Sequence, residues 1–271
     1  MNIETLGHAS LLITDEKSNP ILVTDPWVIG STYWRSWWLQ NYPDENKINI
    51  LKNTPIIYIT HEHSDHFHLP SLRLIGKNNN IYLPDLPNKE FIKYLNKNDY
   101  KTNILKRYKW HEVYKNVKIL SIPLWNDDSI LLIELDNFII VNLNDAKVPN
   151  FLLKRIYQTI RYKKKSSILL SSYSPASIVN SFRYKKEMVS IKNKSEYVKY
   201  INHLCKIIQP EYFMPFASQA IFSRHDSKWA NEYRVSFNDL KTKWENKSIL
   251  LQPYSKLNLL NKKFSSIKTS D

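Results

Sequence analysis

The sequence predicts an α/β protein, with one domain over residues 1–255 and a basic C-terminal tail over residues 256–271. Short apolar runs of strand length alternate along the chain with longer mixed segments of helical length, and no period of about 20–50 residues marks a repeat array. A hydrophobic content of 42% over 271 residues is enough to fill a sizeable core.

Taken in order, residues 21–24 (Ile-Leu-Val-Thr) and 56–59 (Ile-Tyr-containing) are too short and too apolar for surface helices and read as buried strands. Residues 88–96 read as a helix. Residues 117–122, 130–134 and 138–143 form three further apolar runs of strand length, followed by a helix over 150–162. A strand over 167–171, a helix over 195–208 and a strand over 249–251 complete the alternation. No apolar stretch approaches the roughly 20 residues that span a bilayer, and the first residues lack a charged start with a long apolar region. One cysteine, Cys205, fits a reducing compartment, so the expected location is cytoplasmic. The only glycines are Gly7, Gly30 and Gly76, which excludes a phosphate-cradling glycine loop and a dinucleotide fingerprint.

Function is concentrated in one segment. Thr60-His61-Glu62-His63-Ser64-Asp65-His66-Phe67-His68 places four of the eight histidines and two carboxylates directly after a strand. Imidazole and carboxylate are ligands for borderline or moderately hard divalent cations, and a strand end can aim several of them at one point. His61 and His63 can converge on one ion while Asp65 and His66 face a second. Two ions about 3.5–4 Å apart can share a hydroxide, the nucleophile of many hydrolytic sites.

His61-x-His63-x-Asp65-His66 resembles the signature of the metallo-β-lactamase superfamily. That resemblance implies a four-layered αββα sandwich of two mixed β-sheets flanked by helices, with the metals at the edge between the sheets. Thr5-Leu6-Gly7-His8-Ala9-Ser10-Leu11-Leu12-Ile13 is similar to the first hairpin of its lactonase and phospholipase subgroup. Asp25-Pro26-Trp27 is similar to the next strand end, where an aspartate lies beneath the metals. A nearer resemblance is to the C-terminal part of the CMP-N-acetylneuraminate hydroxylases. It rests on Asp25-Pro26-Trp27, Trp37-Trp38-Leu39, His63-Ser64-Asp65-His66, Pro70-Ser71-Leu72, Asn144-Asp145 and Pro215-Phe216-Ala217 with His225. It implies Asp145 as the bridging ligand and His225 as the last ligand of the second metal. His8 is assigned a catalytic or substrate contact, and Asp65 serves as both ligand and proton acceptor.

Two departures from the family pattern carry weight. The hydroxylases bear an N-terminal Rieske cluster needing paired Cys and His ligands, and one cysteine cannot supply them, so oxygenase chemistry here calls for a separate electron-donor protein. The loop Pro123-Leu124-Trp125-Asn126-Asp127-Asp128-Ser129 lacks the expected third histidine. Asp127 or Asp128 is the available oxygen ligand, and Asp128 is the assignment. Harder ligation moves preference from zinc towards iron or manganese.

Charge is uneven: residues 1–150 carry 16 Lys and Arg against 17 Asp and Glu, while residues 151–271 carry 23 against 8. The densest groups are Arg161-Tyr162-Lys163-Lys164-Lys165, Arg183-Tyr184-Lys185-Lys186 and Lys192-Asn193-Lys194. They read either as a field that gathers anionic substrates or as a solvated face. Residues 27–42 hold four of the eight tryptophans, and there Arg35, Trp37 and Trp38 are the candidate substrate contacts, with a dimer interface or sheet cover as the alternatives.

The expectation is therefore an enzyme with two divalent ions, zinc or iron with manganese as a further option, acting on a small anionic metabolite. Hydrolysis by a metal-bound hydroxide leads. Iron-dependent hydroxylation of a nucleotide-sugar-like metabolite is the alternative, followed by a nucleic-acid nuclease or a non-catalytic binding module.

Overall fold

A computed structural model describes residues 1–175 and 194–266. Two large sheets face each other. The first runs in the order Lys263–Ser266, Ser255–Asn258, Asn2–Leu6, Ser10–Thr14, Pro20–Thr24, Ile56–Tyr58, Asn80–Pro84, Lys101–Leu105. The second runs Ile249–Leu250, Tyr212–Phe216, Ser166–Ser172, Phe138–Asn144, Ser129–Glu134, Val117–Pro123, Trp110–Tyr114. Each mixes parallel and antiparallel pairs: Pro20–Thr24 pairs parallel with Ile56–Tyr58, and Phe138–Asn144 pairs parallel with Ser166–Ser172.

Alternation along the strands separates the layers. Phe138 and Ile140 join Ile3, Ile13, Ile133 and Met214 in the core between the sheets, while Ile139 and Val141 point outward. The outward face of the second sheet is covered by the helices Asn150–Lys163 and Lys194–Ile208 through Leu152, Leu153, Ile156, Ile201 and Leu204. Helices Glu45–Lys52, Leu69–Ile75 and Glu90–Lys97 cover the first sheet through Leu51, Leu72, Ile75, Phe91 and Leu95. Burial on both faces explains why these strands read as continuous apolar runs. The result is the αββα sandwich.

The sequence reading missed several elements. Strands Asn80–Pro84, Lys101–Leu105 and Trp110–Tyr114 carry enough polar residues to hide their period, the helix Glu45–Lys52 buries Leu51 alone and so shows no apolar stripe, and the helix Leu69–Ile75 is only seven residues long. The segment read as a tail from residue 256 contributes strands as far as Ser266. Ser255–Asn258 pairs antiparallel with Asn2–Leu6, and Leu257 is buried in the inter-sheet core.

Candidate metal centre

The site lies where strands end. Asp25 follows Pro20–Thr24, the His61 to His66 segment follows Ile56–Tyr58, Asp145 follows Phe138–Asn144, and residues 217–219 follow Tyr212–Phe216. Asp128 comes from the hairpin joining Val117–Pro123 to Ser129–Glu134, and His8 from the turn between the first two strands. Asp25, Asn144 and Ala217 all have positive φ, at 39°, 58° and 46°, so three strand ends turn sharply at this rim. Gly7 makes the first turn possible: its φ is +52°, and a Cβ there would stand 2.7 Å from the Trp27 carbonyl oxygen.

Three groups of ligand atoms converge, each within 4.8 Å: His61, His63 and Asp128; His8, Asp65 and His66; and His61, His66 and Asp145 between them. His61 Nε2 stands 3.7 Å from Asp128 Oδ1 and 3.9 Å from Asp145 Oδ1, and His66 Nε2 also stands 3.9 Å from Asp145 Oδ1. Asp65 Oδ2 lies 3.3 Å from both His8 Nε2 and His66 Nε2. Asp145 thus sits between two sets, each of two imidazoles and one carboxylate.

Asp25, fully buried, organises the histidines from beneath. It accepts from Thr60 N at 2.8 Å and Thr60 Oγ1 at 2.7 Å, and its Oδ2 lies 3.1 Å from His66 Nδ1. Asn144 Nδ2 donates to the same Oδ2 at 3.2 Å, and Thr60 Oγ1 lies 3.0 Å from His61 Nδ1. Engaging the Nδ1 atoms of His61 and His66 leaves both Nε2 atoms for a metal, as an outer-shell carboxylate does. His66 Nε2 and Asp145 Oδ1 are buried without a hydrogen-bond partner, a costly state that a divalent cation would relieve. The residues fit a dinuclear centre of mixed nitrogen and oxygen ligands.

Burial opposes a charge on His66, but the Asp65 and Asp145 carboxylates outweigh it and raise its pKa well above the usual range, so a cation bound there would displace its proton. Burial, reinforced by the charge on His66, pushes the His61 pKa down to about 3, keeping the ring neutral as a ligand must be. Burial opposes the charged form of Asp65, but its interactions with His66 and His8 outweigh this and hold its carboxyl well below the usual range. Burial and the neighbouring Asp145 carboxylate raise Asp128.

The structure brings together His8, His61, His63, Asp65, His66, Asp128 and Asp145. Asp128 rather than Asp127 enters the cluster; Asp127 has φ 61° and turns towards Asn88. His225 does not. It is exposed on the turn after Ala220–Phe222, beside the Arg224–Asp226 ion pair, because that turn runs out into solvent. His8 completes the second set instead, held by the bond from Ala217 N to its carbonyl oxygen at 2.9 Å. Its ring lies between Trp27 and Trp37, at centroid distances of 5.7 and 6.1 Å. Trp37 is half-buried there, whereas Trp38 and Arg35 are exposed. Sequence reasoning passed over Tyr33, whose hydroxyl donates to Asp65 Oδ1 at 2.6 Å. Burial and the Asp65 charge push its pKa up, so it stays a donor. Its only sequence signal was its place in the tryptophan-rich tract.

The first basic group sits elsewhere. Arg161 to Lys165 end a helix and precede Ser166–Ser172, so they lie at the opposite end of that seven-residue strand from the metal rim, about 20 Å away. Lys163 and Lys165 are paired with Glu134 at 2.9 Å each. The groups at residues 183–186 and 192–193 lie outside the described residues.

The comparisons with known proteins agree with this architecture. A cytidine monophosphate-N-acetylneuraminic acid hydroxylase of Cricetulus griseus is 26% identical over 255 residues, covering 87% of this chain and 43% of that protein. The chain therefore spans less than half the length of that relative. Among solved structures, a CmlA beta-hydroxylase mutant superposes with a TM-score of 0.61 at 14% identity, covering 95% of this chain and 54% of that one. An isothiocyanate hydrolase from Delia radicum gut bacteria superposes with a TM-score of 0.60 at 12% identity over the full length of both chains. At such identities the two structures speak for the fold alone. The family described as beta-lactamase superfamily domain matches residues 2–148, more than half of the chain. The chain belongs to the beta-lactamase superfamily and has the metallo-β-lactamase fold.

Proposed function

We propose that the chain is a dinuclear metal-dependent oxygenase that hydroxylates a small anionic metabolite of the nucleotide-sugar class. One observation carries this reading: a carboxylate, Asp128, stands where the superfamily's resemblance implies a third histidine, so both ligand sets are two imidazoles and one carboxylate. Ligand sets of that kind with open positions suit iron better than three-imidazole sets do. The extended similarity to the CMP-N-acetylneuraminic acid hydroxylases supports the same direction.

Two iron ions bound there would supply dioxygen activation. Conversion of C–H to C–OH with release of water consumes dioxygen, two protons and two electrons, and an electron donor outside these 271 residues is the source of the electrons. This chain's own residues do the rest. His61, His63 and Asp128 would hold one ion and His8, Asp65 and His66 the other, with Asp145 between the two sets. Asp25 and Thr60 fix the histidine rings, and Tyr33 fixes Asp65 by donating to it. Trp37, beside His8, forms a wall, while Arg35 and Trp38 are available at the rim for an incoming anion.

The second reading is hydrolysis with zinc, in which Asp65 accepts a proton. The complete His61-x-His63-x-Asp65-His66 motif favours it. Metal analysis of protein purified without added metal separates the two. About two iron per chain with oxygen uptake on chemical reduction is expected. About two zinc with no oxygen uptake would overturn the oxygenase in favour of hydrolysis.

A further inference from the structure

A second feature of the metal-bearing rim is a cleft of about 560 Å³ lined by Gln40, Asn41, Tyr173, Lys194, Arg234 and Tyr254 among others. Among the described residues, its lining includes two cations and no carboxylate. Arg234 is half-buried at its wall. Nη2 donates to Gln40 Oε1 at 3.0 Å and to Ser218 O at 3.4 Å. Among the described residues, Nε and Nη1 have no acceptor, and no carboxylate lies within 4 Å of the guanidinium. A guanidinium carries five N–H donors in a planar fork suited to carboxylate or phosphate, and withdrawing one from water without an anion is costly. Burial indeed opposes its charge. Lys194, the other cation, has Asp239 as its one carboxylate partner among the described residues, at 3.8 Å and outside the cleft lining.

The cleft is tied to the metal centre through backbone. Tyr173 follows Ser166–Ser172 and Ser218 follows Tyr212–Phe216, both at the strand ends that carry the rim. Ser218 Oγ accepts from Tyr173 N at 3.0 Å, and the neighbouring Ala217 N holds the His8 carbonyl. On the other side, Gln40 N donates to Gln219 O at 2.8 Å, and Gln40 extends the strand Trp37–Leu39 whose Trp37 ring packs on His8. Three residues of extended chain from Trp37 to Gln40 cover about 10 Å. That is the reach of a small metabolite with its reacting carbon at one end and an anionic group at the other.

We infer that the Arg234 cleft is an anion subsite that binds a carboxylate or phosphate group of the metabolite acted on at the rim. This rests on the reading of the substrate as a small anion, and it is indifferent to whether the reaction is oxidation or hydrolysis. Arg234 supplies the forked donors, Lys194 adds a second positive charge, and Gln40 orients the guanidinium. The tract at residues 33–38 then forms the wall between subsite and metals.

Thermal unfolding of chelator-treated full chain, titrated separately with inorganic phosphate and with acetate against sodium chloride of equal ionic strength, tests the subsite without reference to turnover. A saturable rise in the midpoint is expected in the wild type, with affinity reduced about tenfold or more in Arg234→Gln. A response to phosphate alone identifies a phosphate site, and a response to both identifies a general carboxylate and phosphate site. Arg234→Lys, which keeps the charge but loses the fork, is expected to bind at least fivefold more weakly than wild type; it serves as the comparison if Arg234→Gln does not fold. No saturable response in wild type, or an equal response in the Arg234 variants, overturns the inference. Because the metals are removed, failure of the oxygenase reading leaves this result untouched.

Discussion

Replacing Asp25 by Asn tests the buried support of the metal centre. The carboxylate is fully buried and receives four hydrogen bonds, from Thr60 N, Thr60 Oγ1, His66 Nδ1 and Asn144 Nδ2, three of them on Oδ2. An asparagine amide fits the same space, and its best orientation keeps its oxygen where Oδ2 was. Its NH2 then faces the Thr60 amide, leaving a buried donor against a donor. That loss costs about 1–3 kcal/mol, and weakening of the remaining bonds to a charged acceptor adds a similar amount. Burial raises the Asp25 pKa, so neutralisation recovers part of the desolvation cost and the net is about 3 kcal/mol. For a domain of this size that corresponds to a fall in melting temperature of about 6–12 °C. The assay is thermal unfolding of chelator-treated protein, followed by competition for metal with a chromophoric chelator, where a 10–100-fold loss of affinity is expected. An unchanged melting temperature together with unchanged metal affinity would refute the claim that Asp25 orders His66 and Thr60.

Other perturbations separate the remaining assignments. Asp128→His is expected to shift competitive loading from iron or manganese towards zinc, measured by metal content after exposure to equimolar ions, whereas His225→Ala is expected to leave metal content unchanged. Gly7→Ala forces a Cβ to 2.7 Å from the Trp27 carbonyl at positive φ. It is expected to cost about 1–3 kcal/mol in denaturant unfolding and to weaken the ion held by His8. Glu134, paired with Lys163 and Lys165, has its pKa lowered: burial acts upwards, but the two lysine hydrogen bonds prevail. A depressed folded pKa gives stability that is present above the unfolded value and is lost as pH falls through the folded one. The advantage of wild type over Glu134→Gln, about 1 kcal/mol near neutrality, is therefore expected to shrink progressively as pH falls below the ordinary glutamate value of about 4.3 in urea titrations at several pH values.

Local pattern carried much of this protein. His61, His63, Asp65 and His66 are close in sequence and follow one strand, so their spacing alone put them at one rim, where the structure gathers their ligand atoms. The apolar runs showed their strands because both sheets are buried on both faces. Asp128 was also legible, as an acidic residue where a histidine was due. What the sequence could not decide depends on contacts between distant segments. His8, not His225, joins Asp65 because the turn after Phe222 points outward and residue 217 hydrogen-bonds back to the first hairpin. Tyr33 reaches Asp65 across 32 residues, and Leu257 enters the core only because its strand pairs with the N-terminal one. The lysines at residues 163–165 looked like an attraction for substrate, but strand direction sends them to the far end of the sheet. Spacing along a chain fixes which side chains one loop can aim at a point. Which loops share that point follows from strand order and register, and those are set by tertiary packing.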